Sequence, residues 1–151
     1  MKMLEIFWAI IGGIIGLFLK ENKPHQIALA VALGFMLGLV PKTNLVALAL
    51  VLTLFLTRCN LGFGILTTAL VSLAIPRLDP LADSLGTQLL ANTVVVDLET
   101  TLFRYPLFAW TALNNTVVLG SFAAGMIAFL PVFLISYGIC CRLQTKKSES
   151  Q

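Results

Sequence analysis

The sequence predicts an all-α integral membrane protein: short, broken or re-entrant helices, one full-length C-terminal transmembrane helix and an interfacial periplasmic helical section. Three observations carry that prediction. Of 151 residues, 58% are hydrophobic and 11% charged, with a mean hydropathy of +0.95, whereas soluble domains carry about 25% charged residues. Residues 27–76 are apolar throughout yet cut into three runs by Pro41-Lys42-Thr43-Asn44 and Arg58-Cys59-Asn60. A bilayer core of about 30 Å takes about 20 helical residues, so runs of about 14 reach only about 21 Å. Residues 117–139, by contrast, form an apolar run of ordinary spanning length.

Residues 1–23 hold an apolar stretch, 4–19, flanked by Lys2 and by Lys20-Glu21-Asn22-Lys23. That length suits an interfacial or partly inserted helix, with Phe7 and Trp8 at headgroup level and Gly12 and Gly16 as a small-xxx-small packing pair. No cleavable signal peptide is expected, because no small-residue cleavage site follows the glycines before Lys20. Residues 24–76 read as a core of three short membrane helices. Pro24 opens the first, Gly34 and Gly38 give it a close-packing face, and Pro41 ends it. Residues 45–57 form the second and 61–75 the third, where Thr67, Thr68 and Ser72 offer hydroxyls to a neighbouring helix.

Residues 77–116 are the acidic section, with Asp79, Asp83, Asp97 and Glu99 against Arg77 and Arg104. Asp79-Pro80 reads as a helix N-cap and first-turn proline, Gly86 as a stop, and Leu90, Val94, Leu98 and Leu102 as one face of a surface helix over 87–103. Phe103, Tyr105, Phe108 and Trp110 resemble an interfacial aromatic belt. Residues 117–141 form the C-terminal span, carrying Gly120 and Gly125 as packing positions and a kink at Pro131. Residues 142–151 read as a disordered cytoplasmic tail. Arg142, Lys146 and Lys147, with Lys20 and Lys23, orient both flanks toward the cytoplasm. Residues 27–76 then cross a net odd number of times, as three short crossings or as a re-entrant pair plus one.

Several functions lose their footing. His25 is the single histidine, so no His-based metal or nucleophile site forms within one chain. Asp97 and Glu99, two apart, lie on different helix faces, and phosphate-loop and dinucleotide fingerprints are missing. Cys59, Cys140 and Cys141 have no metal or redox spacing. No enzyme activity, cofactor, metal or nucleic-acid partner is expected. The candidate contacts for lipid or a partner are Lys42, Thr43, Asn44, Arg58, Asn60, Asn114, Asn115 and Thr116, polar groups at helix breaks. Each also has a plainer reading: Lys42 and Arg58 reach toward headgroups as interfacial side chains, and Asn114-Asn115-Thr116 caps the last helix.

Pro24, Gln26-Ile27-Ala28, Gly34, Gly38, Pro41 and Asn44-Leu45 together resemble the opening of a bacterial integral membrane family known as domain of unknown function 2062. Asn60-Leu61-Gly62, Leu78-Asp79-Pro80, Gly86 and the run from Asn114 to Ser121 are similar to a small branch of it. The resemblance covers residues 24 to 135, and the first apolar stretch departs from the family's more polar N-terminal piece. It carries no catalytic residues. It implies an inner-membrane protein of bacteria with an outer membrane, paired with a much larger envelope protein encoded alongside. From that follows an expected role in anchoring the larger protein and loading lipid onto it. Membrane lipids and that protein are the expected partners, and the glycine faces also suit a homo-oligomer. The competing expectation is a small oligomeric transporter or channel, with a polar path at the helix breaks.

Overall fold

A computed structural model describes residues 23–148. All the regular structure among them is helical: α1 (Pro24–Leu39), α2 (Leu45–Leu56), α3 (Leu61–Leu90), α4 (Thr93–Leu102), α5 (Pro106–Ala109) and α6 (Thr116–Ser148). The expectations about residues 4–19, with Gly12 and Gly16, lie outside the described residues.

α1, α3 and α6 pack against one another. Asn60 N donates to Gln26 O at 3.4 Å, and Thr68 Oγ1 donates to Gly34 O at 3.1 Å. Ser72 Oγ reaches Gly38 O at 3.5 Å, so α1 and the first half of α3 run parallel and in step. α2 carries the chain back between them, since Asn60 lies beside the start of α1. α6 runs the other way: Gly120 meets Ala82 and Gly86, Gly125 meets Met36, and Cys140 shares a cavity with Ile27.

The 16-residue α1 is about 24 Å long. The 30 residues of α3 and 33 of α6 reach about 45 and 50 Å. The short helix is therefore enclosed by two long ones, and its buried residues, Ile27, Ala28, Ala30, Leu33 and Met36 among them, occur on every side. The long helices are the reverse. Leu66, Leu70, Leu73, Ile127, Leu130 and Leu134 are exposed, while small residues face inward. α3 and α6 are both long and apolar enough to cross a membrane. Only 6% and 22% of their most apolar windows are buried, so most of the apolar surface of both helices lies on the outside of the bundle.

Glycine sets the closest approaches. A Cβ at Gly34 would run into the Gly64 carbonyl, one at Gly86 into the Thr116 carbonyl, and one at Gly120 into the Ala82 carbonyl. Gly38 lies against the Val71 side chain and Gly125 against Met36 Cγ. At the first crossing Thr68 Oγ1 also donates to Gly64 O at 2.8 Å, tying two backbones with one hydroxyl.

Five sequence expectations are corrected. The break at Pro76 is absent, and the third short helix is the first half of α3, which contains both Pro76 and Pro80. A proline inside a helix costs about 3 kcal/mol. The two missing N–H groups are one turn apart, so bonds are lost along one side only, and packing on α1 before and α6 after holds the helix together. Asp79-Pro80 is accordingly helix interior rather than an N-cap. Gly86 is likewise interior, a contact point rather than a stop. The surface helix over 87–103 is divided at Ala91-Asn92, where Asn92 Oδ1 accepts from Val94 N at 3.0 Å and starts α4. The last helix runs past Ile139 to Ser148, and with α3 unbroken at Pro76 the described residues hold two membrane-length helices where one was expected.

Gly120→Val overpacks the α3/α6 crossing and lowers stability by about 1–3 kcal/mol or more. Gly138→Ala meets nothing within 4 Å and raises it by about 0.5–1 kcal/mol through helix propensity. Reversible unfolding of the detergent-solubilised protein distinguishes the two.

Candidate functional site

At the end of α1 the chain turns through Pro41–Asn44 into α2. The last carbonyls of a helix lack intrahelical donors and carry its negative dipole end, so a cation is stabilised there. Lys42 meets that need: its Nζ donates to Gly38 O at 2.9 Å and Val40 O at 2.8 Å. Desolvation against the helix end pushes its pKa below the usual lysine value. Asn44 caps α2, with Oδ1 accepting from Ala47 N at 2.8 Å and Nδ2 donating to Pro41 O at 2.9 Å. Leu45 N donates to Trp110 O at 2.8 Å, fastening the turn to the loop after α5. Thr43 is exposed. Leu37, Val40, Val46 and Ala47 bury themselves under this turn, with Leu113 and Phe122 packed against them.

The second break lies at the other end of α2, about 18 Å away along its 12 residues. Thr57 Oγ1 donates to Thr53 O at 2.8 Å, and Cys59 Sγ to Leu54 O at 3.3 Å, closing the end of α2. Asn60 is buried and caps α3, accepting from Phe63 N at 3.2 Å. Arg58 is exposed. The two breaks are thus separate, each closed on its own backbone.

Before α6, Asn115 Oδ1 accepts from Val117 N at 3.0 Å and Val118 N at 3.3 Å, an N-cap. Thr116 Oγ1 donates to the Asp83 carboxylate on α3, beside the Gly86 contact. Asn114 is exposed next to them. Ala112, with φ 55°, turns the chain into this cap in the left-handed region, which costs a non-glycine residue roughly 1–2 kcal/mol.

The polar residues at the breaks are therefore engaged largely in ending and starting helices. Open volume lies elsewhere. A cavity of about 190 Å³ sits where α1 ends between α3 and α6, lined by Leu39, Ile75, Leu78, Leu85 and Ser121, with Asp79 on it. A second of about 190 Å³, bordered by Ile27, Phe63, Ser136 and Cys140, sits at the start of α1. A third of about 80 Å³ lies beneath α4, against Leu98, Leu102, Phe108 and Leu119. All three are walled by apolar side chains. Sequence reading missed the first because it put Asp79 at a helix start; the signal was a carboxylate one turn from Ile75 and Asp83 in an otherwise apolar segment.

Fold and sites together define an α-helical protein with two membrane-length helices, a short enclosed helix and apolar cavities between them. The chain belongs to the family described as "Uncharacterized protein conserved in bacteria (DUF2062)", which it matches over residues 13–149. It is also similar to an uncharacterised protein of Treponema pallidum (strain Nichols), with 29% identity over 116 residues, covering 77% of this chain and 72% of that protein. No solved structure matches it.

The Asp83–Thr116 bond predicts non-additive mutants. Asp83→Ala and Thr116→Val combined should lose about 1 kcal/mol less stability than the sum of the two alone, measured as a double-mutant cycle.

Proposed function

We propose that this chain is an integral inner-membrane subunit that anchors a larger, periplasm-spanning envelope protein and loads lipid onto it. The observation that carries the reading is the inverted burial of α3 and α6: large apolar side chains outside, chiefly glycine, alanine and serine inside. Lipid is the solvent that makes such a surface favourable, and small residues are what membrane helices use to pack.

On this reading α1, α2, the first half of α3 and most of α6 cross the bilayer. The crossing layer is then set by α1, at about 24 Å against a bilayer core of about 30 Å. Mismatch of that size costs fractions of a kcal/mol per Å and thins the surrounding lipid, lowering the barrier for a lipid to leave it. Charge supports an orientation. Lys23, Arg58 and Arg142 fall at one end with no acidic residue beside them in the described sequence. The other end holds Asp79, Asp83, Asp97 and Glu99 with Lys42, Arg77 and Arg104. By the positive-inside rule the first end is cytoplasmic. The outer end, capped by α4 and α5, exposes Val94, Leu98, Tyr105, Leu107 and Trp110, an apolar surface suited to a partner at the membrane face. A polar path through one chain draws no support from Lys42–Asn44 and Arg58–Asn60, which stand at opposite ends of α2.

Two measurements test this. Asp97→Cys should react with an impermeant maleimide in cells whose outer membrane alone is permeabilised, and Lys23→Cys should not. Cross-linking in native membranes should then join a tagged copy to the large protein encoded alongside it, and Leu107→Ala with Trp110→Ala should weaken that capture. A tagged chain that always emerges alone removes the anchoring role.

A further inference from the structure

The cavity at the end of α1 combines two features that belong to an amphiphile. Its walls, Leu39, Ile75, Leu78 and Leu85 chiefly, are apolar, and it opens between the two long helices. Asp79 borders it, and Asp79 is only partly exposed. Its carboxylate oxygens stay accessible, so an incoming cation or donor can reach them. Among the described residues nothing pairs with them. Asp83, one turn along the same face, already accepts from Thr116 Oγ1. Arg77, two residues away, lies on a different helix face and is exposed. Lys42 is held by the carbonyls of Gly38 and Val40.

The depth of the carboxylate matters as well. Ile75 borders the cavity together with Leu39, the last residue of α1, and Asp79 follows one turn beyond. If α1 sets the thickness of the crossing layer, Asp79 stands at its outer boundary, where a lipid headgroup meets its chains. The cavity of about 190 Å³ exceeds the roughly 150 Å³ that holds benzene, so it takes a segment of one chain rather than a whole lipid.

We propose that this cavity is a binding site for a phospholipid with a primary-amine headgroup, one acyl chain lying along Leu39, Ile75, Leu78 and Leu85 and the ammonium on the Asp79 carboxylate. The inference rests on the membrane-subunit reading and names the class of lipid that the subunit would take. An ammonium both neutralises the carboxylate and donates hydrogen bonds to it, so a charge-assisted contact forms. A quaternary ammonium only neutralises it, and a glycerol headgroup adds no positive charge to offset the phosphate. The order of preference follows: ethanolamine above choline above glycerol.

The test is titration of the purified, delipidated chain in detergent with phosphatidylethanolamine, phosphatidylcholine or phosphatidylglycerol, read by native mass spectrometry. Phosphatidylethanolamine should bind most tightly, and Asp79→Asn should weaken it roughly tenfold, the scale of a lost charge-assisted hydrogen bond, while leaving phosphatidylglycerol unchanged or tighter. Ala124→Phe, which narrows the cavity from α6, should weaken all three; Asp79→Glu should restore the headgroup preference. Equal binding of the three lipids, or a preference untouched by Asp79→Asn at unchanged thermal stability, overturns the assignment. Binding that survives Ala124→Phe moves the acyl chain out of this cavity and overturns it too. The titration needs no partner, so it can fail while the envelope protein is still captured. Equally, it can succeed when nothing is captured.

Discussion

Everything in this molecule depends on how closely three helix backbones approach. α1 meets α3 where Gly34 faces Gly64, and α3 meets α6 at Gly86 and Gly120, so tightly that a methyl added at Gly34, Gly86 or Gly120 would strike a carbonyl. In lipid there is no hydrophobic gain from bringing helices together, because acyl chains are as apolar as leucine. Association rests on dispersion and on hydrogen bonds across the interface. Both require proximity. Thr68 reaches the Gly34 carbonyl of α1 because no side chain stands between the two backbones there, and Ser72 reaches Gly38, where the missing side chain leaves room for Val71. The glycines therefore create the geometry in which the hydroxyls act.

The same constraint explains how a helix of 16 residues is stable in this setting. α1 does not need length of its own, because α3 and α6 extend past it and enclose it. Its neighbours belong to the same chain, which is a different solution from completion by another subunit. α2 is less enclosed: Leu48, Leu52, Phe55 and Leu56 remain exposed on it. The apolar surface left for a partner on the sides of the bundle therefore lies on α2 and on the outer faces of the long helices, and not on α1.

Much of this was legible in the sequence. The first two short helices are bounded by signals with local causes. Pro24 opens α1, and Pro41 and the two asparagines at 44 and 60 mark its end and the next two starts. Such signals read well because a cap involves residues within one turn of each other. What misled was proline where tertiary contacts decide. Pro76 looks like a terminus and Pro80 like a first-turn position, yet each lies inside a helix held on both sides by neighbours far away in sequence. Gly86 misled for the same reason. Its missing side chain makes room for Thr116, and nothing local reveals that. The polar residues singled out as contacts were recognisable as helix-break residues, but the spacing could not tell which polar groups the breaks would consume.

That last distinction bears on where function resides. A polar group at a helix break is the cheapest donor or acceptor for the orphaned backbone groups beside it, and Lys42, Asn44, Asn60 and Asn115 are bonded in that way. A carboxylate in the middle of a helix has no such local duty, because the backbone around it is already paired. Asp83 found a partner across the α3/α6 crossing, and Asp79, one turn earlier, stands against an open apolar cavity instead. In a protein whose outer surface is made for hydrocarbon, the residue with the least structural work to do is the one to examine for binding.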